Sequence, residues 1–203
     1  MHASIFESAL GISHPWHVKA VDFDSACKVL TIKIDFAAGT RFAVPGVEGE
    51  HPVHDTVPKR YQHLNFFQHE CYLEVRVPRV RTPDGKVRQI DPPWAGKLKG
   101  FTLLFEALVM SLCREMPFAA VARLVNSSWH RVNAICKRYV ELALAQADFS
   151  EVKRLAADET SRARGHEYIT LVADAFERRV LFVTQGRGAD TIKSFAEDFK
   201  AHG

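Results

Sequence analysis

Closely spaced cysteines are absent from this chain. The sequence has only four cysteines, and none of them forms a CxxC pair: Cys27, Cys71, Cys113 and Cys136. A zinc ribbon needs such pairs, and a small disulfide framework needs a much denser set. We therefore expect four reduced thiols, as in a cytosolic protein.

Long apolar runs are missing too. No window approaches 18 uncharged apolar residues, the length at which a transmembrane helix becomes a candidate. Residues 1–7 lack the basic and apolar regions of a secretory signal. The sequence predicts a protein that is neither exported nor membrane-spanning.

A strong excess of one charge sign is also lacking. The 27 Lys and Arg residues against 24 Asp and Glu residues give a net charge of +3, so the positions of the charges matter more than their sum. Residues 76–88 carry five basic side chains against Asp84 alone, and residues 116–139 carry four with no acid. These two runs are the candidate nucleic-acid contacts.

The first part of the chain has the period of β-strands. Residues 18–36 alternate around a polar turn and predict a hairpin, whereas the Gly- and Pro-rich residues 39–52 predict a loop. In residues 72–81 apolar and basic side chains alternate, so one face can pack while the other presents Arg76, Arg79 and Arg81. Prolines near residue 93 end this pattern. Residues 1–95 are thus predicted to form a β-rich module.

From Phe101 the apolar period becomes that of amphipathic helices. The pattern predicts one helix from about residue 101, a short second helix over 118–125, a polar turn at 126–128 and a third helix from Trp129. The third helix places basic and amide side chains away from its apolar stripe: His130, Arg131, Asn133, Lys137 and Arg138. Residues 96–148 therefore predict a helix-turn-helix DNA-binding domain. A helical bundle with a solvated basic face is the alternative.

The last part of the chain returns to a β pattern. Strands are predicted near residues 152–160, 168–173 and 179–184, followed by a helix over 190–202. Antiparallel strands followed by a helix, with Asp158 on the first strand, are how an RNase H-like nuclease core begins. In such cores this aspartate binds one of two Mg²⁺ ions. The overall fold class is α+β, with residues 149–203 as a partial RNase H-like α/β core.

Several segments together carry a family resemblance. In sequence order they are PVHDT (52–56), HLNFFQ (63–68), VRVPRV (75–80), PWA (93–95), GFTLLFEA (100–107), ADETS (157–161) and GHEYIT (165–170). Taken together they resemble the ISL3 family of bacterial insertion-sequence transposases. Agreement of many short motifs in one order is far more specific than any one of them.

The resemblance implies three parts and their chemistry. It implies an N-terminal zinc-binding module, a helix-turn-helix that reads the terminal inverted repeats in double-stranded DNA, and a DDE domain that cuts and joins DNA with Mg²⁺. Asp158 matches the family's first catalytic aspartate and is the candidate metal ligand. Asp174 follows at a hairpin tip, where aspartate is favoured as a turn residue. A bacterial cytoplasmic protein at the nucleoid, working as a homodimer, is also implied.

Two departures from the family pattern change the expectation. Residues 42–47 and 81–85 have no cysteine where the zinc-binding pairs would fall, so zinc is unlikely by this comparison. A different zinc site could use the remaining candidate ligands: His51, His54, His63, His69 and Cys71. The second aspartate and the glutamate of the DDE set have no match in the 203 residues.

Three interpretations of function follow. The first is a catalytically incomplete transposase fragment. It would contain a degenerate zinc-ribbon-like module, a helix-turn-helix that binds DNA, and one catalytic carboxylate. The second is a non-catalytic DNA-binding protein that competes for transposon ends. The third is a relic, because an open three-stranded sheet is marginal by itself.

Overall fold

The computed structural model of the protein describes residues 2–163 and 167–202. It divides into two compact units, residues 1–140 and 141–203. Part of the 165–170 segment that carries the family resemblance lies outside the described residues. The predicted α+β class is confirmed, since both helices and sheets are present in each unit.

The first unit is built on a six-stranded sheet. It begins with a short helix, α1 (His2–Leu10). The strands follow in the order β1 (Trp16–Asp24), β2 (Val29–Phe36), β3 (Arg41–Val44), β4 (Val47–Phe66), β5 (His69–Arg81) and β6 (Val87–Gln89). The strand order is β1-β2-β5-β4-β3, and β6 pairs with β5. Strands β2 and β5 run parallel, while the other pairs are antiparallel.

The predicted loop over residues 39–52 is wrong, because β3 and the beginning of the 20-residue β4 occupy most of it. Pro45 and Gly46 form the tight turn between them, with Gly46 at φ +76°, a conformation in which glycine is favoured. Pro58 lies beyond the part of β4 that pairs with β3, and proline is tolerated on such an open edge. The proline and glycine residues of a tight hairpin turn and an open strand edge therefore resemble a loop in composition.

Three helices follow the sheet: α2 (Leu103–Glu115), α3 (Phe118–Leu124) and α4 (Trp129–Leu144). The predicted helix positions are confirmed. Thr102 caps α2 by accepting a hydrogen bond from the Phe105 amide. The buried side of α2 is narrow, because Phe105 and Val109 are buried while Leu104 and Leu108 are 54% and 39% exposed.

The second unit contains the predicted strands and helix: β7 (Leu155–Ala163), β8 (Glu167–Asp174), β9 (Arg179–Gln185) and α5 (Ala189–Ala201). The three strands form an antiparallel sheet in the order β7-β8-β9. Helix α5 packs on one face, with the Phe195 ring 5.7 Å from the Phe182 ring.

A buried carboxylate connects the three parts of the helical region. Glu106 on α2 is 0% exposed. Its two oxygens accept hydrogen bonds from the amides of Lys97 and Leu98, at 2.8 and 2.7 Å, and from the Tyr139 hydroxyl on α4, at 2.7 Å. A Cβ on Gly96 would collide with this carboxylate. Burial, and then the Glu106 bond and charge, raise the pKa of Tyr139 to about 12. The segment before α2, α2 itself and α4 are therefore fixed together.

We expect Glu106→Gln to destabilise the first unit by about 2 kcal/mol or more, because an amide NH₂ would replace one acceptor and face a donor in a buried site. Chemical denaturation followed by circular dichroism measures this. Glu115→Gln, at the exposed end of the same helix, is the matched control and should change stability little. Equal stability of the two variants would contradict the role given to Glu106.

Candidate nucleic-acid interface

Helix α4 separates an apolar side from a basic side. Val132, Ile135 and Cys136 are buried, whereas the predicted contact residues His130, Arg131, Lys137 and Arg138 are exposed and Asn133 is half-buried. The structure therefore brings these five side chains together on one helix. Trp129 follows the apolar period of α4, yet it is 47% exposed and lies beside the rings of Phe118 and His130.

The turn before α4 has well-defined local chemistry. Asn126 adopts φ +47°, and the Ser127 amide donates back to the Ala122 carbonyl at 2.8 Å, which is a Schellman ending for α3. Ser128 then accepts a hydrogen bond from the Arg131 amide at 3.2 Å, as an N-cap does. The polar segment 126–128 thus ends one helix and begins the next, as predicted.

The helix-turn-helix is docked on the end of β4. The Gln62 side chain donates to the Val125 carbonyl at the end of α3, at 3.0 Å. His63 Nδ1 and Thr102 Oγ1, at the start of α2, share a hydrogen bond of 2.8 Å. Backbone bonds join Gln62 to Gly100 and Thr102 at 2.9 and 3.1 Å. Sheet and helices therefore form one packed body within residues 1–140.

A second contact lies at the turn itself. The Asn126 side chain donates to Glu70 on β5, so the residue that breaks the helix also bonds to the sheet. The Arg131 guanidinium lies 4.1 Å from the centre of the Phe101 ring, where a cation–π contact is favourable. Arg131 is thus held at the junction of α4 with the sheet. Any DNA contact it makes has a fixed starting geometry.

His63 is the titratable group in this docking contact. It is 8% exposed, and burial lowers its pKa from 6.5 to about 4. The unfolded chain therefore takes up a proton as the pH falls through 6.5, while the folded chain does so only near pH 4. Stability from this group is complete above pH 6.5 and is lost as the pH falls toward 4.

We expect the free energy of unfolding to fall by about 2 kcal/mol between pH 8 and pH 5 because of His63. His63→Asn should remove this part of the pH dependence while lowering stability at pH 8. His54→Asn, at an exposed position on the same strand, should keep the wild-type slope. Urea titrations at several pH values measure the free energy of unfolding. If His63→Asn keeps the pH dependence of the wild type, His63 is not its source.

The strand arginines Arg76, Arg79 and Arg81 have polar partners within the sheet. Arg76 pairs with Asp35 at 2.9 Å, and Arg79 forms two bonds to Asp55, which lower the pKa of that carboxyl. Arg81 lies 3.4 Å from the His54 ring. Arg76 and Arg79 thus each form an ion pair within the sheet. Their contact with DNA stays a prediction.

The candidate zinc ligands do not assemble in the structure. Within residues 2–163 and 167–202, no group of three or more His, Cys, Asp or Glu side chains lies close enough to hold a metal. His63 is hydrogen-bonded to Thr102, and the His69 ring lies 4.3 Å from the Phe23 ring. Burial raises the pKa of Cys71 to about 12, which disfavours the thiolate that binds zinc.

The carboxylates of the second unit point to different places. Asp158 is exposed on β7 and accepts a hydrogen bond from the Glu159 amide. Glu159 lies on the opposite face, where its carboxylate accepts from the Gly188 amide ahead of α5 at 3.2 Å. Asp174 accepts from the amides of Phe176 and Glu177 at 2.9 and 3.1 Å, as the turn interpretation requires. One exposed carboxylate does not provide the ligands of a two-metal site.

Comparison with known proteins identifies both regions. Residues 90–140 match the helix-turn-helix domain of transposase family ISL3, and residues 155–203 match the DDE transposase domain of the same family. The chain belongs to the ISL3 family of transposases. The first match includes all of α2 and α3 and most of α4, the elements docked on β4. It therefore agrees with the helix-turn-helix prediction.

Curated relatives are transposases of insertion sequences. One, for IS1001 of Bordetella parapertussis, is 30% identical over 146 residues, which are 71% of this chain and 36% of that protein. Another, for IS1557 of Mycobacterium tuberculosis, is 29% identical over 138 residues, 68% of this chain and 31% of that protein. The ISL3 chain thus spans about a third of the length of these relatives. No solved structure matches it.

Sequence reasoning missed the residues that position α4. Gln62, His63, Asn126 and Glu106 are polar, and nothing in the periodicity of the chain marks their burial or contacts. The segment GFTLLFEA contains Glu106, yet its resemblance to the family indicated no role for that residue.

None of the helices in the described part of the chain is both long and apolar enough to span a membrane.

Proposed function

We propose that this ISL3 chain binds the terminal inverted repeats of an insertion sequence by inserting α4 into the major groove. The observation that carries the proposal is the basic face of α4, held by the Glu106 and β4 contacts. Residues 116–139 contain no acid, so the helix can approach phosphates without repulsion over that length. The family match supports DNA as the partner.

Roles can be assigned along this face by chemistry. The Asn133 amide is suited to the donor and acceptor pair on an adenine edge, and His130 and Lys137 can bond base edges or phosphates. Arg138 lies on the flank of the face and suits the backbone, where contacts carry no sequence information. Arg131, held against Phe101, would contact the phosphate beside the start of α4. The proposal thus separates Asn133, which contacts a base edge, from Arg138 and Arg131, which contact the phosphate backbone.

We expect Asn133→Ala to relax sequence preference, while Arg138→Ala weakens binding to all duplexes alike and reduces the salt slope by about one. Enrichment from a randomised duplex pool, followed by fluorescence anisotropy at several salt concentrations, measures both. Arg114→Ala, exposed at the end of α2, is the control. An unchanged sequence preference in Asn133→Ala, together with an unchanged salt slope in Arg138→Ala, would show that α4 does not contact the DNA.

For catalysis we propose that Asp158 is the first carboxylate of the DDE set. In this chemistry divalent metal, taken here as Mg²⁺, stabilises the attacking and leaving oxygens of a phosphodiester. The residues present do not fit a complete metal site, because Glu159 and Asp174 are used elsewhere. We therefore assign no reaction step to this chain, and we propose that β7–β9 with α5 correspond to the start of an RNase H-like core.

We expect the 203-residue polypeptide to bind DNA without nicking or joining it in Mg²⁺ or Mn²⁺. Asp158→Asn should leave affinity nearly unchanged, because a single exposed carboxylate is removed. Supercoiled-plasmid nicking and oligonucleotide strand-transfer assays measure this, with Glu177→Gln as an exposed control from the same unit. Metal-dependent cleavage that Asp158→Asn abolishes and Glu177→Gln retains would show that the site is complete.

A second candidate function is a non-catalytic protein that competes with intact transposase for transposon ends. It is favoured by the contrast between a well-formed α4 face and carboxylates that do not converge. Such a competitor lowers strand transfer by intact transposase in proportion to its occupancy of the ends, which a mixed strand-transfer assay measures. We further propose a bacterial cytoplasmic, nucleoid-associated protein, dimeric on paired ends, whose degenerate N-terminal module holds no zinc.

A further inference from the structure

The outer face of the N-terminal sheet contains an open depression of about 630 Å³. Its lining crosses strands β1, β2, β5 and β4. The charged lining residues are the cations Lys19, Lys33, Lys59, Arg60 and Arg76 and the carboxylates Asp35 and Glu74. The cations outnumber the carboxylates by three. No element of the described first unit lies over this depression as a lid, so it is open to solvent.

The carboxylates compensate only part of this charge. Asp35 is buried and pairs with both Arg76 and Lys19, at 2.9 and 3.5 Å, so one negative charge serves two positive ones. Lys33, Glu74 and Arg60 align across β2, β5 and β4 in register. Among the described residues Lys33 forms no ion pair within 4.0 Å. One face of the sheet therefore displays a row of exposed positive charge.

This row continues into the start of α4. The Arg60 guanidinium stacks 3.9 Å from the centre of the Tyr72 ring, and the Arg60 and Arg131 charges both act to lower the pKa of Tyr72, against burial and Glu70, which raise it. A Cβ on Gly100 would lie 3.5 Å from Arg131 Nη2 and 3.9 Å from the Arg60 carbonyl oxygen. The sheet row and the helix therefore meet at Gly100.

From this juxtaposition we propose that the sheet row Lys19, Lys33, Arg60 and Arg76 binds the phosphate backbone of duplex DNA beside the site read by α4. The inference rests on the proposed DNA binding by α4 and extends it to a second, sequence-independent contact. The row supplies affinity, and α4 supplies sequence preference.

The dimensions suit this ligand. Neighbouring strands lie about 4.8 Å apart, so the row from β1 to β4 spans roughly 14 Å. One DNA strand carries a phosphate about every 3.4 Å along the helix axis, so the row faces about four phosphates. Isolated small anions would need a closed pocket with converging donors, whereas an open row of this length fits a polyanion.

The test compares charge-matched variants of the 203-residue chain. Lys19→Gln/Lys33→Gln removes two exposed cations of the row, and Lys193→Gln/Lys200→Gln removes two exposed cations of α5, in the second unit, as the control. The probes are a 30-base-pair duplex of random sequence and the duplex enriched by wild-type protein. Salt-dependent anisotropy should show a slope smaller by about two and binding at least tenfold weaker at 0.1 M salt for the row variant, on both probes.

The control variant should bind within twofold of wild type. Lys19→Arg/Lys33→Arg should restore the slope, and matching thermal unfolding curves establish that all variants fold. A row variant that binds like the control, while Arg138→Ala weakens binding, would overturn the row and leave α4 as the reader. Failure of wild type to bind either duplex would overturn the proposed function itself.

Discussion

The buried carboxylate of Glu106 is the constraint on which the arrangement of the first unit depends. An isolated carboxylate in a protein interior is costly unless its oxygens are hydrogen-bonded. Three donors from two segments satisfy it, the amides of Lys97 and Leu98 and the hydroxyl of Tyr139. These donors can meet only when α2 and α4 are packed and the preceding segment is folded back. A polar group thereby specifies one arrangement where apolar contacts alone would tolerate several.

That arrangement joins the reading helix to the sheet. Gln62 and His63 at the end of β4 bond to the end of α3 and the start of α2, so the helices cannot rotate on the sheet without breaking buried hydrogen bonds. Arg131 then lies beside Gly100, close to the backbone of Arg60, where α4 meets the proposed phosphate-binding row of the sheet. The second unit contributes a carboxylate to the proposed chemistry, Asp158.

Periodicity predicted helices α2 to α5, the first hairpin and the three C-terminal strands because each buries one face and so repeats at its own period. Helix α1, which lies in the part predicted to be β-rich, was not predicted. It failed over residues 41–66, where Pro45, Gly46 and Pro58 mark a turn and an open strand edge inside a hairpin. The composition of the α4 face was readable from sequence, since exposed basic residues follow the helical period. The partners of Arg76 and Arg79 were not, because Asp35 and Asp55 are brought to them by strand register.

The central claim is that sheet and helix-turn-helix form one cooperative body. Native-state hydrogen exchange measures it directly, through the backbone amides of Leu73, Thr102 and Val132. Leu73 lies inside β5 between β2 and β4, Thr102 lies at the junction, and Val132 lies on α4. The account predicts that the three exchange with the same opening free energy and shift together under mild denaturant. Earlier opening of Val132 and Thr102, with Leu73 still protected, would contradict it.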